Sequence, residues 1–545
     1  MMSMLCTGAT LWALAALVST SAAYDVVVFG ATGAGCTAAI AASRTGATVQ
    51  LLSTTGHVGG MLTGGLQNTD MANQSVVQGI TGEFFHRLGD FYYPGSGKAA
   101  WLFESHVGER VMIEMLQAAN VSVVREVRGV KAVRRSGTTI QSFETVSGGT
   151  FAAAIFIDAS YEGELAEHSA TMVWGREGIV QYGELHAGRL GAESIGTSVS
   201  GYLKEGDPSS GVLPYLFDGE PVAEGAGDLW VESYDFRLCF TNSPGNQLKF
   251  TQPAGYNATQ FEYWRRIYRE NPPGSLAAAG LHAIGPVPNN YSDCGRPCKK
   301  YDMLGMNHGT DWTTGSWGYP NGTYAERQAI WRAHIDFTQA LLWFWSSDEH
   351  VPKAVRDDIG QYGHCTDEYD ATSDPPHWPH QLYVREAKRL VGDFVWTEYR
   401  PSRALSARTV GLGSYIFDCH YVSRYVDAAT GQVVKEGRVK VDHQLNATRA
   451  GPHADLGMLM AEPFVMPYDT MLPKAAEATN LLVPVAVSSS HVRFNAVRLE
   501  PTWMILGHAA GAAAALCVQE GVLPHTVNVT QLQDLLVAQK QMLRP

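Results

Sequence analysis

The stretch from Asp25 to Ser53, DVVVFGATGAGCTAAIAASRTGATVQLLS, limits most sharply what this chain can fold into. Val26 to Phe29 form a short apolar run that enters the turn Gly30-Ala31-Thr32-Gly33-Ala34-Gly35. An alanine-rich helix follows, and Thr48 to Leu52 form a second apolar run. Strand, glycine turn, helix and strand in that order make a βαβ unit, whose helix N-terminus and bare backbone N–H groups suit a dinucleotide pyrophosphate. The usual glycine spacing places Gly30, Thr32 and Gly35 at its three positions, so threonine stands at the second and Gly33 is the residue able to restore close backbone approach. The second strand ends in Ser53, where an acidic residue normally holds the ribose hydroxyls. An assignment to NAD that leans on that acid therefore fails, and either Ser53 or another segment makes the ribose contact.

At 545 residues the chain exceeds what one core supports, and two domains are expected. A formal net charge of -13 without a basic patch argues against nucleic acid or an anionic membrane as partner. Residues 1–23 read as a signal peptide, with the apolar core LWALAALV ahead of Ser21-Ala22-Ala23. Seven N-x-Ser/Thr sequons, at Asn73, Asn120, Asn257, Asn290, Asn321, Asn446 and Asn528, agree with a secreted or secretory-lumen glycoprotein. Removal of the leader takes Cys6 and leaves seven cysteines, of which Cys294 and Cys298 are the expected disulfide pair. No further ligands are spaced to turn that pair into a metal site, and no metal is expected.

After Ser53, the glycine-dense run Thr54 to Gly65 reads as a loop passing close to something flat or charged. Helices are expected over Glu83 to Leu88 and Glu104 to Ala118, then an antiparallel meander over Val121 to Ile157 that ends in Asp158 and a polar turn. Residues 163–376, rich in Trp, Tyr, Pro and Asn and with a helix from Tyr324 to Trp345, read as a substrate or cap domain. The chain then returns to the first domain, with a buried strand over Asn480 to Val487 and a small-residue helix over Pro501 to Gln519. That helix reads as core and not as a membrane span. Its Gly507-to-Gly511 cluster suits tight packing against sheet or cofactor.

Several runs, taken together, resemble one family. They are GHVGGMLT from Gly56, FESHV from Phe103, FIDASYEG from Phe156, WPHQLYVREAKR from Trp378, GLGSY from Gly411, and SSSHV from Ser488 through Arg498-Leu499-Glu500-Pro501. In this order they are similar to the FAD-dependent oxidoreductases of the glutathione-reductase-like superfamily, specifically an often secreted group sometimes labelled xanthan-lyase-like. The resemblance implies an α/β fold: a Rossmann-type FAD-binding domain assembled from residues 24–162 and 377–545, with an inserted α+β domain over 163–376. It implies FAD, with pyrophosphate at Gly30, Thr32, Gly33 and Gly35, adenosine near Ser53, and Gly59 and Gly60 at the ribityl chain. His57, Asp158, Arg498, Glu500 and Gly507 are further expected cofactor contacts.

A flavin performs the redox step, and the protein orients a substrate C–H over N5 and accepts a proton. His380 is the favoured base, because Arg385 and Glu386 share its run and Arg385 suits an anionic or carbonyl group. His377 and His491 are further candidates. The competing reading has His380 bonded locally and Arg385 paired with a buried carboxylate. A secreted flavoprotein meets more oxygen than NAD(P)H, so reoxidation by O2 or a small acceptor is expected, with a small-molecule substrate as the partner. The alternatives are a polysaccharide-lyase-like enzyme and a non-catalytic secreted flavin-binding protein.

Overall fold

The computed structural model describes residues 24–288, 299–306, 308–399, 401–441 and 462–544. The expected leader, the Cys294–Cys298 pair, and the sequons at Asn290 and Asn446 lie outside these residues.

The chain opens with strand β1 (Tyr24–Phe29), helix α1 (Gly33–Arg44) and strand β2 (Val49–Leu52). Val26 to Phe29 and all of β2 are buried, which is the signature of strands covered on both faces. Helices α2 (Gly79–Tyr92) and α3 (Ser105–Ala118) follow, then β3 (Ser122–Val124), β4 (Val130–Ser136), β5 (Thr139–Thr145) and β6 (Thr150–Asp158). The sheet order is β3-β2-β1-β6-β5-β4. From β3 to β6 the pairing is parallel, as in a Rossmann-type sheet, whereas β6-β5-β4 is antiparallel. The expected meander over Val121 to Ile157 is thus only partly one: β3 joins the parallel half, because it returns from α3 by a crossover.

The C-terminal third completes this domain. Leu481–Leu482 pairs with β6 in parallel, which brings residues some 325 positions apart into one sheet. The expected strand over Asn480 to Val487 is no longer than this, since Pro484 has no N–H to continue a ladder. The helix Glu500–Glu520 lies along α1, and Glu500 to Cys517 are all buried. Its length and mean hydropathy would suit a bilayer, but 94% of its most apolar window lies inside the protein, as in a core helix.

The inserted part carries a five-stranded antiparallel sheet in the order Gln247–Leu248, Gly363–Cys365, Leu238–Thr241, Lys300–Gly305, Leu281–Val287. Cys239 and Cys365 join two of these strands by a disulfide. The helix Tyr324–Ser347 starts at a capping box made by Thr323 and Glu326. Strand pairing runs across residue 376: Ser423–Val426 pairs with Val433–Glu436, and the latter with Glu193–Ser194.

Candidate functional site: a nucleotide turn and two cavities

The turn after β1 is held by its own residues. Thr32 caps α1, its hydroxyl accepting from Gly35 N–H at 3.2 Å and donating to the Ala159 carbonyl at 2.8 Å. Threonine at the second fingerprint position thereby ties the turn to the end of β6. A Cβ on Gly35 would sit 1.9 Å from the Gly30 carbonyl oxygen, so no other residue fits there. The loop after β2 docks on this turn, with Gly59 N–H donating to the Ala31 carbonyl at 2.7 Å. Gly60 follows with a φ of 57°, and a Cβ there would meet the Tyr161 hydroxyl at 2.4 Å.

A first cavity of about 300 Å³ opens beside this turn. It is lined by Ser53, Thr54, Thr55, Glu126 and Arg128, by Gly30, Thr32 and Tyr161, and by Trp331, His380 and Gln381. Ser53, at the place of the missing acid, donates its hydroxyl to the His57 carbonyl at 2.5 Å and so shapes the loop. His57 and His380 stack with ring centroids 3.8 Å apart. His380 is half-buried, and desolvation with the neighbouring His57 holds its imidazole well below the ordinary value, so it is neutral.

The N-terminus of the helix Glu500–Glu520 meets the same turn. Glu500 Oε1 accepts from the Tyr161 hydroxyl at 2.5 Å, and Oε2 lies 3.1 Å from where a Cβ on Gly33 would be. Burial pushes the Glu500 carboxyl up to about 8. Among the described residues, Glu500 Oε2, Thr502 Oγ1, Trp503 Nε1 and both His380 ring nitrogens are buried without a hydrogen-bond partner. Orphaned polar atoms at one helix N-terminus and one glycine turn fit a polar, anionic ligand lying between them.

The remaining expected contacts act at a remove. Asp158 accepts from Ser160 N–H, Ser160 Oγ–H and Ala166 N–H, and so shapes the turn that carries Ser160 and Tyr161. Burial raises its carboxyl to about 6. Gly507, expected at the cofactor, instead faces α1: a Cβ there would lie 2.1 Å from the Ala34 carbonyl oxygen. It is a helix-packing glycine.

The expected trio of His380, Arg385 and Glu386 is not brought together. His380 and Gln381 lie in a bend and the Val384 N–H turns back to the Leu382 carbonyl at 2.8 Å, so the segment changes direction between His380 and Arg385. His380 lines the first cavity and Arg385 a second one, of about 220 Å³. Arg385 is buried and pairs with Asp235 and Asp311, each at 3.0 Å, which is the competing reading given above. Glu386 pairs with Arg389 and meets His491 Nδ1 at 2.6 Å. Burial and the nearby Arg389, Arg176 and Arg498 hold His491 well below the ordinary imidazole value. His377 sits at a φ of 57° with Nδ1 3.1 Å from the Glu368 carbonyl. Neither His377 nor His491 lines either cavity. Arg498 lines the second cavity, donating to Asn495 Oδ1, the Tyr383 hydroxyl and the Asp418 carbonyl.

A separate buried cluster of Glu104, His106 and Glu368 has the spacing of a metal site. The Lys300 ammonium already lies 2.5 Å from Glu104 and 2.9 Å from Glu368, so the cluster is an ion-pair network.

The family described as FAD dependent oxidoreductase matches residues 25–536. The chain belongs to that family. FAD is therefore the cofactor of this flavoenzyme, and the glycine turn, the Gly59-Gly60 loop and the orphaned atoms at Glu500 to Trp503 would hold it. No curated protein matches the chain. Among solved structures, the flavoenzyme is similar to a flavin-containing monooxygenase from Stenotrophomonas maltophilia, at 17% identity over 29% of this chain and 43% of that one, with a TM-score of 0.21. It is also similar to OxyS anhydrotetracycline hydroxylase from Streptomyces rimosus, at 13% identity over 29% and 38%, with a TM-score of 0.22. For T. acidophilum thioredoxin reductase the values are 21% identity, 25% and 35%, and 0.16. The overlap spans less than half of each of those chains.

Sequence reasoning missed Tyr161, although it stands inside the run FIDASYEG, and of the second cavity's wall it singled out only Arg385 and Arg498. Asn68, Arg237, Tyr415, Asp418, His420 and Arg438 line that cavity from positions spread over 370 residues, and no spacing links them.

Proposed function

We propose that this flavoenzyme oxidises a small organic substrate by hydride transfer to its FAD and passes the electrons to O2 or a small acceptor. The observation that carries this reading is the pair of cavities on either side of two chain segments. His380 and Gln381 line the nucleotide cavity while Tyr383 and Arg385 line the second, and Arg498 and Leu499 line the second just before Glu500 reaches the glycine turn. A cofactor held at the glycine turn would, if it spanned this divide, supply its chemistry to the second cavity.

Bound FAD supplies the two-electron acceptor, with N5 as the hydride-receiving atom. The chain's own residues bind and orient. Tyr161 fixes Glu500 by its hydroxyl and receives the Met61 N–H at 2.8 Å, which locks the second glycine loop against the first. The N-terminus of the helix Glu500–Glu520 favours negative charge placed near it. Asp302 accepts from Gln67 N–H and Asn68 N–H and pairs with Arg237, tying the loop from the cofactor domain to the sheet of the inserted part.

We assign the protein to the secretory lumen or the outside of the cell. Support comes from exposed Asn120, Asn257, Asn321 and Asn528 in sequons and from the Cys239–Cys365 disulfide. The absorbance spectrum of purified protein, before and after acid precipitation, reports flavin presence and attachment. Bleaching by alcohols, sugars, amines or amino acids, with peroxide formed in air, is the expected result. Rapid reduction by NADPH alone would overturn the oxidase reading.

A further inference from the structure

The second cavity is walled by charge from several parts of the chain. Most of that charge is paired within the protein: Arg237 with Asp302, Arg385 with Asp235 and Asp311, and Arg498 with Asp418. Arg438 differs. Its half-buried guanidinium donates to the Tyr421 hydroxyl at 3.5 Å and, among the described residues, has no carboxylate partner. Asp418 and Glu193 act on it through space without an ion-pair contact, and its remaining donors are a fixed point for a carboxylate.

His420 occupies the same wall with a definite polarity. Its Nδ1 lies 2.9 Å from Asp311 Oδ2, whereas Nε2 is 3.7 Å from Asp418 Oδ2, beyond hydrogen-bond length. Asp311 is anchored from behind by Arg385, and the His420 backbone N–H donates to Glu232 at 2.6 Å. The ring is therefore held with Nδ1–H on Asp311, and Nε2, which faces Asp418 Oδ2 at 3.7 Å without a hydrogen bond to it, is the atom that exchanges a proton. The other groups here that titrate near neutrality are few. The Tyr383 and Tyr415 hydroxyls are pushed up by burial, and the Cys419 thiol likewise. The rivals are Asp70, a carboxyl raised by burial in the same wall, Asp235 behind Arg385, raised by burial to about 6, and Lys435 over the Tyr421 ring, lowered by burial to about 8.

We propose that this cavity is the substrate site, that its substrate is a small carboxylate whose oxidised carbon bears a hydroxyl or amino group, and that Arg438 holds the carboxylate while His420 Nε2 takes the hydroxyl or amino proton. The proposal rests on the oxidoreductase reading above. The C–H bond breaks with its electron pair, which leaves as hydride to the cofactor. The O–H or N–H bond breaks with its proton going to His420, and a C=O or C=N bond forms. Dioxygen, reduced to peroxide, then returns the cofactor to its oxidised form. The cavity of about 220 Å³ suits a substrate of this size.

Burial and Arg385 work against the His420 imidazolium, but Asp311 and Asp418 outweigh them and raise its pKa above the ordinary 6.5. Lys440 pairs in register beside Asp418 and completes the charges on that side. The neutral, proton-accepting ring thus accumulates only as pH rises, and flavin reduction accelerates with pH to a plateau above the ordinary imidazole range.

The test is anaerobic stopped-flow reduction of the holoenzyme by 2-hydroxy acids, 2-amino acids and the amides of both. Acids are expected to bleach the flavin at concentrations at least tenfold lower than their amides, and the two acid series identify the heteroatom. R438M should raise the half-saturating acid concentration tenfold or more at unchanged limiting rate. H420N should lower the limiting rate by about 10²–10⁴-fold and flatten its pH profile, with FAD content and half-saturation unchanged. Amides that match the acids, an H420N rate equal to the parent's, or loss of the pH rise in D70N and not in H420N would each overturn the proposal. If nothing in the panel bleaches the flavin, titration of the oxidised holoenzyme with acetate and pyruvate separates the two readings. A saturable change in the visible spectrum that R438M abolishes upholds the carboxylate site and overturns the oxidation reading. No change overturns the site itself.

Discussion

Glu500 is the residue whose environment departs furthest from what its chemistry prefers. It is enclosed, carries no cationic partner, and keeps one oxygen without a hydrogen bond beside Gly33. With a folded-state value near 8 against an unfolded value near 4.5, the folded chain binds this proton more tightly than the unfolded chain. Stability from this group is therefore fully present below pH 4.5 and is lost as pH rises towards 8, by a few kcal/mol at most. In FAD-free protein, E500Q keeps an acceptor for the Tyr161 hydroxyl and removes that loss. Thermal melts between pH 5 and 9 should show a smaller decline for E500Q than for the parent. His380 makes a complementary case, since its neutral ring stacks on His57 while both nitrogens lack partners. H380F preserves the stack and removes the nitrogens. Its FAD dissociation constant, measured by fluorescence titration, should rise roughly tenfold, the worth of about one hydrogen bond.

The element on which the cofactor domain turns is the pair of helices α1 and Glu500–Glu520. Their contact is made of backbone and small side chains: Gly507 lies against Ala34, Gly511 against Ala38, and the Thr37 hydroxyl donates to the Met504 carbonyl at 2.7 Å. This packing sets the distance between the glycine turn at the start of one helix and Glu500 at the start of the other. A methyl group at Gly507 has to push the helices apart. G507A should cost about 1–3 kcal/mol or more, read as a lower melting temperature, and should lower the FAD content of purified protein. An apolar helix with glycines spaced by four residues is visible in the sequence. Which neighbour those glycines admit is not, because the partner at Ala34 is some 470 residues away.

Across the whole molecule, the inserted sheet is stapled by Cys239 and Cys365, 126 residues apart. Closing a loop of that length restrains the unfolded chain, which sets an upper bound of about 5 kcal/mol on the stabilisation. The double variant C239A/C365A, or reduction under native conditions, should lower the melting temperature of the inserted part. Hydrogen exchange should locate the loss in strands 238–241 and 363–365 while β1, β2 and β6 stay protected.

The order of local elements, the Rossmann-type unit at the N-terminus, and FAD as cofactor all followed from residues 25–65 and the motif runs downstream. Those features reside in short windows, where apolar periodicity, glycine spacing and turn chemistry act over a few residues. Two things depended on tertiary structure. The bend and turn between 380 and 385 leave His380 and Arg385 in different cavities, so closeness in the chain is not closeness in space. The second cavity, with Arg237, His420 and Arg438 in its wall, is assembled from stretches with no common spacing. The sequence by itself determined the cofactor half of the site, because a dinucleotide is bound largely by one local backbone conformation. Only the tertiary structure decided the other half, because groups that meet across a cavity leave no periodic trace along the chain.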